Sequence, residues 1–461
     1  MFATLLLAAA LSQLSADEHQ AAQPLLQFAQ GTQAQSEHFA EVWPGFWSES
    51  TPFITFNDEG QAVLFTTEEA LPGYQQLATN YYYYAQRLPN LADFRFRIHY
   101  SLPNDQVATA IRLSEGGAVN GDDSETLLHE AFHGYQRFHF DETGKLEFIE
   151  PGYLEDTTVR AMLQFQFALA QQAHESRELA DVRDWLTVRV ALNEAIAPEV
   201  SAYLKAQERH EGSAQWVGIK AAYADDYRGS IDDFFTHLPR HFETTHMLRS
   251  SAYVTGAVLI DLVAEFSGDD TDWRRAMEQG SSPIELALRT FEINTEEALA
   301  DMEGVMSRHD FSQYMTLAQA AMSENLTLEE VEASHAYRLD ITIELELKDG
   351  RADLPMRFAG GEYGFHQIEQ NLIFLPLAET FQLDIKGSDI HVRDTPVLAD
   401  LRKVQERQAV FSLWSNTPIT TLTELQAMDD LQLNFNDSTI FLPAGWTLDE
   451  AATDAHIKVT F

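Results

Sequence analysis

Residues 122–140 read DDSETLLHEAFHGYQRFHF and contain the motif H-E-x-x-H. Asp122 and, three residues later, Glu125 have the form of a capping box, and the apolar residues that follow recur at helical spacing. This stretch therefore predicts an amphipathic helix. His129 and His133 are four residues apart, so both side chains should lie on one face, a single turn from each other.

This pair of histidines suits a zinc ion. Two imidazoles at positions i and i+4 can hold one Zn²⁺ while the intervening Glu130 points towards its free side. A zinc-bound water has a pKa of about 7, and a carboxylate within hydrogen-bond reach can take its proton as it attacks a carbonyl. We therefore predict Glu130 as the general base. A helix with incidental histidines is the alternative, because the chain has 16 of them in 461 residues.

The helix resembles the active-site helix of the zincin metallopeptidases. Downstream, residues 210–218 read HEGSAQWVG and resemble the E-G-x-A-x-Y pattern with which many gluzincins supply a third zinc ligand. More loosely, residues 129–262 look like a group of uncharacterised bacterial HExxH proteins. In that group the histidine helix continues into H-x-x-Q, here 133–136, and a later helix carries R-x-x-A-Y-x-x-G, here 249–256. The resemblance implies a zinc peptidase that acts on a peptide or protein substrate.

The resemblance implies Glu211 as the third ligand, with Glu155 as its rival. Glu211 lies 78 residues after His133, which is far longer than in the best-known gluzincins, whereas Glu155 lies 22 residues after it. Glu211 is favoured because Gly212 and Ala214 beside it are small enough to let the ligand helix pack close to the histidine helix.

Gln166 stands where that bacterial group is expected to carry a glutamate. If that glutamate serves the metal or its surroundings, the site here is weakened or inactive. The alternative function is therefore a non-catalytic exported protein with a structural or vestigial metal site, in which the C-terminal region binds a surface, a glycan or a partner.

A zinc hydrolase also needs a hydrogen-bond donor aimed at the developing oxyanion. His246, Arg249 and Tyr253 are spaced three and four apart, so they share one face of a predicted helix. Tyr253 is the first candidate for the donor, and His246 is the second. The alternative is a tyrosine packed in the core with its hydroxyl at the rim.

Composition excludes several classes of function. The chain has 72 Asp and Glu against 30 Lys and Arg, a formal net charge of −42. A field this negative repels phosphate backbones and anionic headgroups, which argues against nucleic-acid and membrane-surface partners. The absence of cysteine excludes disulfides, thiolate zinc sites and cysteine nucleophiles. Serine hydrolases, kinases and dehydrogenases have no motif here.

Hydrophobic patterning around the helix predicts an α+β fold. A β-hairpin is predicted over 50–66, and strands are predicted over 94–100 and 107–113, just ahead of the histidine helix. Residues 156–302 have helical periodicity. Strict alternation then begins at Tyr337 and predicts strands to the end of the chain.

These patterns predict a domain with a small antiparallel sheet and a helical lobe over 17–332, and a β-rich, sandwich-like domain over 333–461. The resemblance implies that the first domain is zincin-like. The apolar run at 2–14, followed by Ser15 and Ala16, resembles a secretory signal peptide cleaved after Ala16, which implies a secreted or periplasmic protein. The run has no Lys or Arg, so a buried N-terminal helix is the alternative.

No membrane span is predicted. The apolar run at 2–14 is too short to cross the hydrocarbon core as a helix. The other long apolar stretch, 252–266, contains Asp261 and Glu265 and is predicted to be a core helix. The oligomeric state is left open.

Overall fold

The fold is described from a computed structural model of the chain. The described residues are 14–68, 72–86, 88, 96–102, 106–114, 121–141, 156–237, 247–268, 272–324, 328–345, 347–348, 351–352, 356–359, 366–369, 372–378, 380–385, 388–393, 395–425, 428, 430–435, 438–449, 452–453 and 455–460.

The first sheet has six strands in the order β3-β4-β2-β1-β6-β5. Their bounds are β1 Phe53–Phe56, β2 Ala62–Phe65, β3 Gln75–Ala78, β4 Tyr81–Tyr84, β5 Phe96–Ser101 and β6 Val107–Arg112. The predicted hairpin is confirmed, because β1 and β2 pair antiparallel with Phe53 opposite Phe65. One pairing departs from the predicted antiparallel arrangement: β1 and β6 run parallel.

Most of the helices follow the first sheet in sequence, beginning with the histidine helix α3. Two further helices precede the sheet. Their bounds are α1 Ala16–Ala34, α2 Ser36–Val42, α3 Asp122–His139, α4 Thr157–Ser176, α5 Leu179–Ala195, α6 Pro198–Gln207, α7 Ser213–Tyr223, α8 Tyr227–His237, α9 Met247–Phe266, α10 Asp272–Glu278, α11 Pro283–Thr290, α12 Thr295–Arg308, α13 Phe311–Glu324 and α14 Leu328–Ser334. The predicted helical region is confirmed, and it extends to Ser334.

Helix α1 begins at the place where cleavage was predicted. Ser15 is its N-cap, and the Ser15 and Glu18 side chains form a capping box. Cleavage after Ala16 would remove this cap. The buried residues of α1, among them Leu25, Leu26 and Phe28, lie well beyond the predicted cleavage site. The cleavage site stays a prediction, since residues 1–13 are outside the described part.

The capping box predicted for α3 is wrong. The N-cap is Gly121, and no side chain caps this end of the helix. Partners on α7 use the two carboxylates instead: the Tyr223 hydroxyl donates to Asp122 Oδ1 at 3.0 Å, and Gln215 Nε2 donates to Glu125 Oε1 at 2.6 Å. The acidic first turn still favours the helix through its dipole.

Helix α3 is buried between the sheet and the helical region. Its apolar face carries Leu127, Leu128 and Phe132, which are buried in the largest core cluster. The Phe132 ring packs edge-on against Trp43, with centroids 5.0 Å apart. This cluster includes residues of the sheet and of most helices, so α3 is held rigidly on both sides.

The stretch 252–266 forms the C-terminal part of α9, and most of its residues are buried, as predicted for a core helix. Among the described residues, no helix is long and apolar enough to cross a membrane.

The described part of the C-terminal region forms two large sheets, in the orders β10-β13-β14-β18-β17 and β11-β12-β15-β16-β7-β20-β19, and a two-stranded pair of β8 and β9. The strand bounds are β7 Tyr337–Glu344, β8 Leu347–Lys348, β9 Arg351–Ala352, β10 Met356–Ala359, β11 His366–Glu369, β12 Leu372–Ala378, β13 Thr380–Ile385, β14 Ser388–Val392, β15 Thr395–Asp400, β16 Gln408–Ser415, β17 Leu431–Phe435, β18 Ser438–Leu442, β19 Thr447–Leu448 and β20 His456–Thr460, with a short helix α15 at Leu422–Leu425.

Residues from both of these sheets share one core. The Phe381 ring of the five-stranded sheet lies 5.4 Å from the Phe411 ring of the seven-stranded sheet. The predicted sandwich-like arrangement is therefore confirmed. Val331 of α14 packs with Phe374 and Trp414 of the larger sheet. The boundary near residue 333 stays a prediction.

Candidate metal centre

Three side chains converge in the interior of the helical region. His129 Nε2 and His133 Nε2 are 3.1 Å apart, and Glu211 Oε2 lies 3.1 Å from His133 Nε2 and 3.6 Å from His129 Nε2. Each of the three residues is 7–8% exposed. The long interval in sequence between the histidines and Glu211 therefore does not separate them in space, and together they form a group that could hold a metal ion.

Glu211 reaches the histidines from an unusual turn of helix. Residues Glu208–Gly212 form one π-helical turn that joins α6 to α7. Such turns are rare and are found often at functional sites, because the extra residue changes the direction of the side chains relative to an α-helix. Here the turn directs the Glu211 carboxylate at α3.

A buried ion pair anchors this π-helical turn. Arg189 of α5 makes a bidentate contact with the Glu208 carboxylate, at 2.6 and 2.9 Å, and neither side chain is exposed. The Thr255 hydroxyl of α9 donates to the same carboxylate at 2.8 Å. Because all three partners are buried, Glu208 fixes the turn against two other helices.

Arg209 holds the other side of the turn. Its guanidinium donates to the backbone carbonyls of Met277, Asp141 and Glu278 at 2.8–3.0 Å. Its Cζ also lies 4.9 Å from the centre of the Phe140 ring. Thus the residues immediately before the triad's carboxylate bind α5, α9, α10 and the end of α3.

Glycines allow the helices of the site to approach closely, but not in the predicted way. Gly212 was expected to pack on the histidine helix, and instead it contacts Gly256 of α9. The glycine that faces the histidine helix is Gly218, where a Cβ would lie 3.2 Å from His129 Cβ and 2.9 Å from the Glu125 carbonyl. The prediction that Gly212 packs on the histidine helix was wrong, because α9 crosses the chain at this residue.

Gln136 orients His133. Its Nε2 donates to the His210 carbonyl and to Ser213 Oγ, both at 2.8 Å, so its Oε1 must face the His133 ring. His133 Nδ1 lies 2.7 Å from this oxygen and must carry a proton to bond to it. In the neutral ring, this leaves His133 Nε2 with a lone pair that points at the centre of the triad.

Gln215 has the same relation to His129. Its Nε2 donates to Glu125 Oε1 at 2.6 Å, which leaves its carbonyl oxygen for the His129 ring, its other hydrogen-bond partner. Two glutamines therefore fix both rings. In the sequence, Gln136 stands out only through the resemblance. Gln215 was not predicted, although it lies four residues after Glu211 on the same helical run.

The pKa shifts describe a site that is ready for a cation. Burial lowers the pKa of His129. Burial also acts to lower the pKa of His133, but its hydrogen bonds to Glu211 and Gln136 raise it overall. Burial acts to raise the pKa of Glu211, yet the two histidines hold it well below its ordinary value. The Glu211 carboxylate therefore stays charged and favours a positive charge beside it, either the proton of His133 or a cation.

His210 adds a second aromatic contact without adding charge. Its ring stacks on His133 with centroids 4.3 Å apart. Burial, together with the nearby His133, lowers the pKa of His210 to about 4. The ring is thus neutral at pH 7 and does not repel a cation in the triad.

The predicted catalytic residues lie beside the triad. Glu130 is buried on α3, and its charge acts on His133. The Tyr253 ring of α9 lies parallel to the His129 ring, with centroids 5.7 Å apart. Their roles in catalysis stay predictions.

Other predicted positions do not reach the triad or fall outside the described part. Glu155, His246 and the side chain of Arg249 fall outside the described part of the structure. Gln166 is fully buried between α4 and α5, where its Oε1 accepts a bond from Trp185 Nε1 at 3.5 Å.

Strand β5 runs past the histidine helix at the edge of the first sheet. A Cβ on Gly134 of α3 would lie 3.9 Å from His99 Cε1 of this strand. Within the described part of the chain, β5 pairs with β6 alone and is an edge strand of this sheet.

The chain matches no family model, no curated protein and no solved structure. The proposal of a zincin-like protein therefore rests on the residues: the H-E-x-x-H helix and the buried group of His129, His133 and Glu211.

The donor set fits zinc. Two neutral imidazole nitrogens and one carboxylate oxygen are the protein ligands of a known type of catalytic zinc site, which leaves a coordination position for substrate or water. His129 Nε2 and His133 Nε2 face one another at 3.1 Å, close enough to share either a proton or a metal ion.

Proposed function

We propose that this protein is a zinc-dependent hydrolase that cleaves peptide bonds. The observation that carries the proposal is the buried convergence of His129, His133 and Glu211 next to Glu130. These three residues would hold the ion. When bound, zinc would act as a Lewis acid that activates water and polarises a carbonyl.

Glu130 acts as the base in this proposal. A buried carboxylate beside the site takes a proton from the attacking water and passes it to the leaving amine. Tyr253 donates a hydrogen bond to the oxygen that gains charge. Its support is its place on α9, with its ring parallel to that of His129 and only partly buried.

The edge strand β5 favours a peptide as the substrate. An extended peptide can add to an exposed strand edge through backbone hydrogen bonds, independently of its side chains. Strand β5 offers such an edge next to α3, with His99 over Gly134, one residue after His133.

The first test is the metal content of protein purified without chelator, measured by elemental analysis. Wild type should hold one zinc per chain, Glu211→Ala should lose it, and Glu155→Ala should keep it. Wild type without zinc, even after zinc is added back, would overturn the proposal.

The second test separates metal binding from chemistry. Glu130→Gln has nearly the same shape, so it should keep zinc while losing turnover of a peptide library by about 10²-fold or more. Turnover close to wild type would exclude Glu130 as the base. A wild type that binds zinc but cleaves no peptide would favour a structural metal.

We also propose that the chain is exported and processed near Ala16, and that residues 17–332 and 333–461 form two domains. The support is the apolar run at 2–14 and the change from helices to strands between Ser334 and Tyr337. Intact mass of the exported protein tests the first point. Limited proteolysis tests the second, and a resistant fragment that spans residue 333 would contradict it.

A further inference from the structure

A second site lies on a different part of the helical region. A pocket of about 420 Å³ opens where α2, α7, α8, α9 and α10 meet, and it is called here the Trp216 pocket. Its residues include His38, Trp216, Lys220, Tyr227, Asp261 and Arg274. Its volume is within the range of small-molecule sites.

The acidic groups at the base of the pocket already have partners. Asp261 Oδ1 accepts hydrogen bonds from Trp216 Nε1 at 3.2 Å and from Tyr227 Oη at 2.8 Å, while its Oδ2 pairs with Arg177 at 2.7 Å. Glu265 pairs with Arg228 at 2.8 Å. Both carboxylates are therefore held by other partners and make no ion pair with the remaining cations of the pocket.

Two cations in the pocket have no carboxylate partner. Within the described part of the chain, neither Lys220 nor Arg274 forms an ion pair, and Arg274 Nε is buried with no hydrogen-bond acceptor. His38 Nε2 is also buried without a partner. This is unusual in a chain with more than twice as many acidic as basic residues.

Aromatic rings are the closest contacts of these two cations, and the charges of Asp261 and Asp225 act on Lys220 without forming an ion pair. Lys220 Nζ lies 3.4 Å from the centre of the Tyr227 ring, and Arg274 Cζ lies 4.3 Å from that of Trp273. A ring face stabilises a cation but does not satisfy its N–H donors. Burial accordingly lowers the pKa of both side chains.

An anion would satisfy these donors. A guanidinium and an ammonium that face one cavity suit a planar carboxylate, since the guanidinium fork matches its two oxygens. A phosphate dianion fits less well, because Glu41, Asp261 and Glu265 also line the pocket and repel a double charge. Trp216, Tyr227 and Val42 supply an apolar and aromatic wall for the rest of the ligand.

We propose that the Trp216 pocket binds a small aromatic monocarboxylate, whose carboxylate lies between Lys220 and Arg274 and whose ring packs against Trp216. The site is distinct from the metal centre in its residues. The proposal for this pocket does not depend on whether the triad is a peptidase site.

Isothermal titration of the full chain tests the proposal with three probes: phenylacetate, its uncharged analogue phenylacetamide, and inorganic phosphate. Phenylacetate should bind at least tenfold more tightly than phenylacetamide, and phosphate should not compete with it. Binding of phosphate in preference to phenylacetate, or equal affinity for the acid and the amide, would overturn the assignment. No binding of phenylacetate by wild type would overturn it as well.

Variants locate the binding. Lys220→Met keeps the length of the side chain and removes its charge, and it should weaken phenylacetate binding about tenfold or more. Arg274→Met should do the same. The exposed Lys403→Met is the matched control and should leave affinity unchanged. If Arg274→Met unfolds, Lys220→Met decides alone: affinity equal to wild type in a folded Lys220→Met protein would overturn the proposal.

Discussion

Gly212 and Gly256 are in direct backbone contact where the π-helical turn crosses α9. A Cβ on Gly212 would lie 2.6 Å from Gly256 Cα and 2.9 Å from the Ala252 carbonyl oxygen. No side chain fits at this distance, so α9 reaches the residue next to Glu211 only because both positions are glycine. The same crossing brings Tyr253 to the ring of His129.

Gly256→Ala should therefore separate the two helices. The added Cβ would meet the Glu208 carbonyl oxygen at 2.8 Å and Gly212 Cα at 2.9 Å, both on backbone that cannot turn away. We expect a loss of about 1–3 kcal/mol in the free energy of unfolding, measured by urea denaturation. Zinc affinity should fall too, because Glu211 moves with the turn.

Gly229→Ala is the matched control. Gly229 lies on the exposed side of α8, and a Cβ there meets nothing within 4 Å. Alanine should stabilise this helix by up to about 1 kcal/mol. If Gly256→Ala stabilised the protein as much as Gly229→Ala, the close contact of the two helices would be disproved.

Replacing either glutamine that orients the histidines should weaken metal binding. In Gln136→Ala and Gln215→Ala the rings of His133 and His129 lose the partner that fixes their orientation. We expect zinc affinity to fall about 10–100-fold in a chelator competition, with the zinc still bound at saturation. Gln172→Ala, an exposed glutamine on α4, should have wild-type affinity. Equal affinity in all three variants would contradict a role for the glutamines.

Breaking the buried pair that anchors the π-helical turn should destabilise the fold strongly. Arg189→Met leaves the Glu208 carboxylate buried with only Thr255 as a described partner, and we expect a loss of about 3–5 kcal/mol in urea unfolding. The double variant Arg189→Met/Glu208→Met should recover part of this loss, since no charge remains buried. Lys205→Met, which breaks the exposed pair with Glu285, should change stability by about 1 kcal/mol or less. A double variant less stable than Arg189→Met would argue against this account.

Much of the fold follows from local patterns in the sequence. The hairpin of β1 and β2 follows from alternation around a turn, and β7 follows from the strict alternation that begins at Tyr337. His129 and His133 were predictable as a pair because one helical turn fixes their separation. These features depend on residues that are near each other in the chain.

The parts that could not be predicted depend on contacts between distant segments. The capping box at Asp122 was lost because Tyr223 and Gln215, about 100 and 90 residues away, bind the two carboxylates. Gly212 was assigned to the wrong helix for the same reason. Glu211 was identified by resemblance, but its direction depends on a π-helical turn, which no periodicity in the sequence indicates.

A partly buried aspartate, Asp340, should make the stability of the C-terminal sandwich sensitive to acid. Asp340 of β7 lies between two neighbouring strands: it pairs with His456 of β20 at 2.8 Å and bonds to Ser412 of β16. It also accepts a bond from Arg338 Nε at 2.8 Å. Burial acts to raise the pKa of Asp340, but these hydrogen bonds lower it below the ordinary 3.8.

A lowered pKa means that the folded state favours the carboxylate. Its contribution is therefore complete above about pH 3.8 and is lost as pH falls further. Asp340→Asn should be less stable than wild type by about 1–2 kcal/mol at pH 5, and the difference should shrink towards pH 2.5 in urea unfolding. Glu406→Gln, an exposed position in the same region, should show no such difference. A gap between wild type and Asp340→Asn that stays constant down to pH 2.5 would show that the charge of Asp340 does not stabilise the fold.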